Sequence, residues 1–132
     1  ISAGNGRIKA FQSGIRSIGM RSGDSSQFYK TIQQFKDMCL VRCPVSSPTV
    51  VYSKELFRSG LLKTHPDKYS GAADYDLYCR LADNNIFIYP SGRWLGYNYR
   101  WHPEQATWEM HKDPNNYEKE IQDYWRNKWK LV

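Results

Sequence analysis

Long apolar runs, a cysteine framework and blocks of like charge are all missing from this chain. No stretch approaches roughly 18 uninterrupted apolar residues, so nothing reads as a membrane-crossing helix. The first turns of sequence mix Arg7, Lys9 and Arg16 with Gly and Ser and hold no apolar h-region, so no secretory leader is expected. Cys39, Cys43 and Cys79 are odd in number and cannot all pair within one chain. No second Cys/His pair accompanies the C-x3-C spacing, so a zinc knuckle is not expected. Small, buried or half-buried thiols in a reducing compartment fit these cysteines better. Basic residues at the start, Arg7, Lys9, Arg16 and Arg21, stand singly, which gives no nucleic-acid arm. No Asp-x-Asp stands ahead of residue 74, and no repeat or low-complexity tract appears.

What is present is enough for one domain over residues 1–132, since a chain of 132 residues closes a single hydrophobic core. The net charge of +6 draws anions in general, whether nucleic acid, lipid head groups or a phosphorylated substrate. Ten Tyr and five Trp supply flat apolar faces with polar edges, which suit sugar sites and plain interiors alike. The chain opens on Ile1 rather than Met, which suggests a piece of a longer protein. Cytoplasmic placement is expected, with room for peripheral attachment to a membrane, and assembly into an oligomer is left open.

Periodicity and punctuation predict a mixed α+β, or α/β, order of elements. Residues 1–23 read as a loop-rich lead-in, with room for one strand at the short alternating run Arg7 to Phe11. Asp24 and Gln27 resemble a capping box, and Phe28, Ile32, Phe35 and Met38 share one helical face, which predicts a helix from about Ser25 to Met38. Thr49 to Tyr52 is β-branched and aromatic and predicts a strand. Ser53 then caps a short helix, Lys54 to Arg58, and Gly60 stops it. A further helix is expected from Asp74 to Asp83, and a strand from Ile86 to Tyr89. Pro90-Ser91-Gly92 reads as a turn into a second extended segment, Trp94 to Trp101. Asp113 and Pro114 read as the cap and first residue of a closing helix over 113–130, with Tyr117, Ile121, Tyr124 and Trp125 as its apolar face.

The chemistry gathers in Gly71-Ala72-Ala73-Asp74-Tyr75-Asp76-Leu77-Tyr78-Cys79-Arg80-Leu81. A loop delivers Asp74 to the start of a helix, where free backbone N–H groups favour a carboxylate. Facing a cleft, such a group serves as a general base; facing its own helix, it is only a cap. Asp76 lies about 200 degrees further round the helix, so the two carboxylates are expected to point in different directions.

This segment resembles the ED-x-D-L-x-x-R-L helix start of family-2 glycosyltransferases. Asp76, Leu77, Arg80 and Leu81 match the pattern, while Ala73 replaces its Glu. Upstream, Ser47 to Phe57 with Gly60 is similar to the family's strand-then-helix element, against which the acceptor pocket is built. Downstream, Tyr97-Asn98-Tyr99-Arg100-Trp101-His102-Pro103-Glu104-Gln105-Ala106-Thr107 is similar to its Y-R-x-H stretch. The resemblance covers residues 44–108. It implies the C-terminal, acceptor-side part of a GT-A nucleotide-diphospho-sugar transferase fold and transfer with inversion from a nucleotide-sugar donor to a glycan or lipid-linked acceptor. It further implies Asp74 as the base, and Asp76, Tyr99, Arg100 and Trp101 as substrate-binding residues. His102 is implied as ligand to Mn2+ or Mg2+ in the complete enzyme. One His holds a hard divalent ion poorly without the missing Asp-x-Asp, so the isolated chain is expected to be incomplete or inactive. Two other readings stay open: an anion- or nucleic-acid-binding module on the basic surface, and a non-catalytic remnant that holds an acceptor.

Overall fold

A computed structural model describes residues 2–3, 6–7, 9–104 and 116–130. Two short strands, β1 (Ser2–Ala3) and β2 (Gly6–Arg7), pair antiparallel. The main sheet is built on β3 (Ala10–Gly19), a longer strand, set further along the chain, than the short run Arg7 to Phe11 suggests. β3 is flanked by β4 (Gly23–Ser25), β5 (Val50–Tyr52) and the 14-residue β6 (Ile88–Trp101). A strand has two edges, and β3 uses both. β6 runs parallel along one edge from Ala10↔Ile88 to Gly19↔Trp101. The other is shared by β5, opposite Ala10 to Gln12, and β4, opposite Ile15 to Ser17. Gly and Ser in β3 carry little strand preference of their own; the two ladders hold it extended.

The helices are α1 (Ile32–Cys39), α2 (Lys54–Arg58), α3 (Pro66–Tyr69), α4 (Ala73–Asp83) and α5 (Tyr117–Lys130). The helix expected from Ser25 begins only at Ile32, because Gly23–Ser25 is drawn into the sheet and Asp24 pairs with Arg16 at 3.1 Å. Thr31 caps it instead, its hydroxyl accepting from the Gln34 N–H at 3.1 Å. Phe28, expected on the apolar face, is exposed, and Tyr29 is buried in its place. Ser53 does cap α2, accepting from the Leu56 N–H at 3.2 Å. Gly60 ends that turn with φ +82°.

The turn expected at Pro90-Ser91-Gly92 is a bulge inside β6. The register jumps from Ser13↔Ser91 to Gly14↔Leu95, so the extra residues loop out without reversing the chain. Pro90 is tolerated because β3 is the only strand that pairs with β6 among the described residues, leaving β6 an open edge. Residues 105–115, including the Asp113-Pro114 cap, lie outside the described residues.

Alternation on the sheet sets its two faces. Ala10, Gln12 and Ile88 are buried, whereas Val51 and Tyr89 stand open. Ala10 and Ile88 join one hydrophobic cluster with Phe35 and Cys39 of α1, Tyr75, Leu77, Tyr78 and Leu81 of α4, and Ile121 and Trp125 of α5. Among the described residues no helix is long and apolar enough to cross a membrane.

Candidate functional site

Asp74 stands in the first turn of α4, half-buried, beside the short 3-10 turn Ser47–Thr49 that precedes β5. The Ser47 hydroxyl donates to Asp74 Oδ2, and the Tyr78 hydroxyl donates to Ser47 Oγ at 2.7 Å. The Tyr52 phenol on β5 lies near enough to Tyr78 for the two to perturb each other. The other carboxylate oxygen accepts the Tyr75 N–H at 2.9 Å. Burial pushes both the Tyr78 and Tyr52 phenols above the ordinary tyrosine range, so each stays a neutral donor. Burial also lifts the neighbouring Cys43 thiol to about 12, with the Asp74 charge adding a smaller push. The result is a line of hydroxyls, Tyr78–Ser47, ending on one carboxylate, with the Tyr52 phenol beside its outer end.

At the outer end of that line an open groove of about 500 Å³ lies along β5 and α2. Tyr52, Ser53, Lys54, Phe57, Arg58 and Leu62 line it. Tyr52 therefore belongs to both places, lining the groove and standing beside Tyr78. Arg80 steadies the far wall by donating to the Leu61 carbonyl at 3.3 Å and to the Lys63 carbonyl.

Asp76 takes a different position. It is buried, with Oδ2 paired to Arg80 at 2.9 Å and Oδ1 accepting the Trp125 indole N–H at 2.9 Å. Both its oxygens are thus spent within the chain, tying α4 to α5. The half-turn between the carboxylates is what sends one to the site and the other to the core.

Tyr99, Arg100, Trp101 and His102 lie at the other end of the sheet. Trp101 stands opposite Gly19, donates its indole N–H to Ser17 Oγ at 3.0 Å, and carries the Arg21 guanidinium 4.1 Å over its ring. Tyr99 packs on Trp101 with ring centroids 5.0 Å apart. Arg100 is exposed, opposite Ile18. His102 is exposed and accepts the Glu104 N–H on Nδ1 at 3.2 Å. Asp74, by contrast, is anchored through Ser47 next to Ser46, whose N–H donates to Gln12 at 3.1 Å. From Gln12 to Gly19 is about 23 Å of strand at about 3.3 Å per residue, so the structure does not bring Asp74 and His102 together.

His102 is a single soft-edged nitrogen donor, and no group of three or more His, Cys, Asp or Glu capable of holding a metal occurs among the described residues. That donor set does not fit a hard divalent cation, which takes several oxygen ligands. The cysteines remain free, Cys39 and Cys79 buried and Cys43 half-buried, as small thiols are expected to be.

Sequence reasoning picked out Asp74 but not Ser47, Tyr78 and Tyr52 as its companions. Tyr78 was within reach, because it follows Asp74 at i+4 on one helix face. Ser47 was not, since only folding carries it across 27 residues to the carboxylate. Compared with protein-family models, curated proteins and solved structures, the chain matches none.

Proposed function

We propose that this chain is the acceptor-side part of an inverting, nucleotide-sugar-dependent glycosyltransferase of GT-A type, with Asp74 as the base. The observation that supports it is the Asp74 carboxylate itself: half-buried, at a helix start, and already receiving an O–H from Ser47. A carboxylate oxygen keeps further lone-pair sites, and an acceptor hydroxyl would occupy one of them. In the reaction the acceptor oxygen bonds to the anomeric carbon of the donor and its proton passes to Asp74. The bond from that carbon to the diphosphate oxygen breaks, and the electron pair leaves with the nucleoside diphosphate. One base and one direction of attack give inversion. The groove along β5 and α2 is the acceptor's place in this reading.

Tyr99, Arg100, Trp101 and His102 lie too far from Asp74 to share its proton transfer, so any contact they make with substrate belongs to another part of the reaction. The test is transfer by the full-length protein. Asp74→Asn is expected to lower turnover by a hundredfold or more while sugar-nucleotide binding stays within twofold, a loss in the range of a general base. A mutant that keeps its turnover would make Asp74 a helix cap.

A further inference from the structure

Among the described residues only β3 pairs with β6, and the two halves of the open edge differ. Toward its start Pro90 offers no N–H, and the register shifts between Ser91 and Tyr97; both features keep another strand from pairing there. From Tyr97 to Trp101 neither guard is present. That stretch runs in unbroken register with β3, from Ile15↔Tyr97 to Gly19↔Trp101. The Trp101 carbonyl accepts the Met20 N–H at 3.1 Å, so Trp101 turns its backbone polar groups toward β3. Successive residues of a strand aim these groups at opposite edges, so Tyr97 and Tyr99 face β3 as well, and Asn98 and Arg100 face outward. Both of the latter are exposed. The rings of Tyr97, Tyr99 and Trp101 form a row on one face, with neighbouring centroids 6.4 and 5.0 Å apart. A regular edge with outward amides is a template for one more strand.

This edge complements itself. Laid antiparallel against its own image across a twofold axis at Tyr99, Asn98 of one copy faces Arg100 of the other, and these two outward residues exchange both N–H···O bonds. Tyr99 then faces Tyr99, and Tyr97 faces Trp101, as the close, non-hydrogen-bonded pairs in which aromatic side chains meet. No like charges stand opposite, because Arg100, the one charged residue of the stretch, meets Asn98. An axis normal to the sheet keeps the rings of both copies on one face, so the two rows merge. Moving the axis one residue either way pairs an end of the stretch with the bulge or with residues past Trp101.

We propose that Tyr97–Trp101 is the contact through which two copies of this chain form a symmetric dimer with one continuous sheet. This contact owes nothing to Asp74: it lies at the end of the sheet too remote from that carboxylate to join its proton transfer.

Sedimentation velocity of the chain over a hundredfold range of concentration tests the contact. The mass is expected to rise from 15.5 kDa toward twice that value. Asn98→Lys sets a cation against the second copy's Arg100. The twofold axis counts that repulsion twice, so the dimer should weaken tenfold or more at low salt. Asn98→Glu sets an anion there and should tighten the dimer at least threefold, and both effects should shrink in high salt. Asn98→Pro removes an N–H that the ladder to β3 does not use, and should leave a monomer. Asn98 is exposed, so these variants keep the fold, which an unchanged far-ultraviolet spectrum checks. A chain that stays at 15.5 kDa at every concentration overturns the proposal. A dimer that ignores both Asn98→Lys and Asn98→Glu overturns it equally, because its contact then lies elsewhere.

Discussion

Replacing Asp76 tests whether the second carboxylate of the motif builds the fold, as its contacts indicate. It is 6% exposed, and Arg80 and the Trp125 indole each donate to it at 2.9 Å. Hydrogen bonds to charged groups contribute about 1.5–3 kcal/mol, and stripping one partner from a buried ion pair costs about 3–5 kcal/mol. Arg80 keeps 20% of its side chain in solvent and retains the Leu61 and Lys63 carbonyls, which lowers that figure. Asp76→Ala should therefore destabilise by about 3–4 kcal/mol. At about 4 °C per kcal/mol for a chain of this length, the midpoint should fall by about 12–16 °C. Asp76→Asn should cost only about 1–2 kcal/mol, because its amide oxygen still accepts from Trp125 while its NH2 faces the guanidinium. Urea unfolding followed by tryptophan fluorescence gives both values, read as a change in midpoint at constant slope. Combining Asp76→Ala with Trp125→Phe should show a coupling of about 1–2 kcal/mol in a double-mutant cycle. A loss below about 1 kcal/mol for Asp76→Ala, or strict additivity in the cycle, would refute the tie between α4 and α5.

Two further outcomes follow from backbone and charge. Gly19→Ala should destabilise by about 2–4 kcal/mol, since a Cβ there would meet the Trp101 carbonyl oxygen at 2.5 Å with φ at +82°. Gly60→Ala shares that φ but has open space around it, so it should cost only about 1–2 kcal/mol; equal losses by calorimetry would discount the β3–β6 contact. At Asp83, burial raises the carboxyl, but hydrogen bonds from Lys128 at 2.9 Å and the Trp129 indole at 3.0 Å outweigh it and lower the pKa. A depressed folded pKa gives stability that is complete above the unfolded value near 3.9 and disappears as pH falls through the folded one. Asp83→Asn should thus cost up to about 1 kcal/mol at pH 6, and the difference from wild type should narrow as pH falls below about 4; a gap constant with pH would contradict the ion pair.

Local signals in the sequence determined the pieces whose causes lie within a turn or two. Ser53 caps α2 and Gly60 ends it, because a hydroxyl reaches an N–H three residues on and only glycine takes φ +82° without strain. The helix start at residues 73–74 and the inward face of Ile121 and Trp125 were legible for the same reason, although Tyr124, expected on that face, is exposed. So was the divergence of Asp74 from Asp76, which is set by the helical repeat. What pairs over long distances was not legible. Gly- and Ser-rich β3 is central only because β6, some 80 residues later, runs beside it, and that hairpin-and-ladder arrangement also moved the start of α1 to Ile32. The tertiary structure alone decided that Ser47 meets Asp74, that Trp125 takes Asp76 into the core, and that His102 stands at the opposite end of the sheet. Sequence spacing measures distance along the chain, and it is the sheet register that turns it into distance in space.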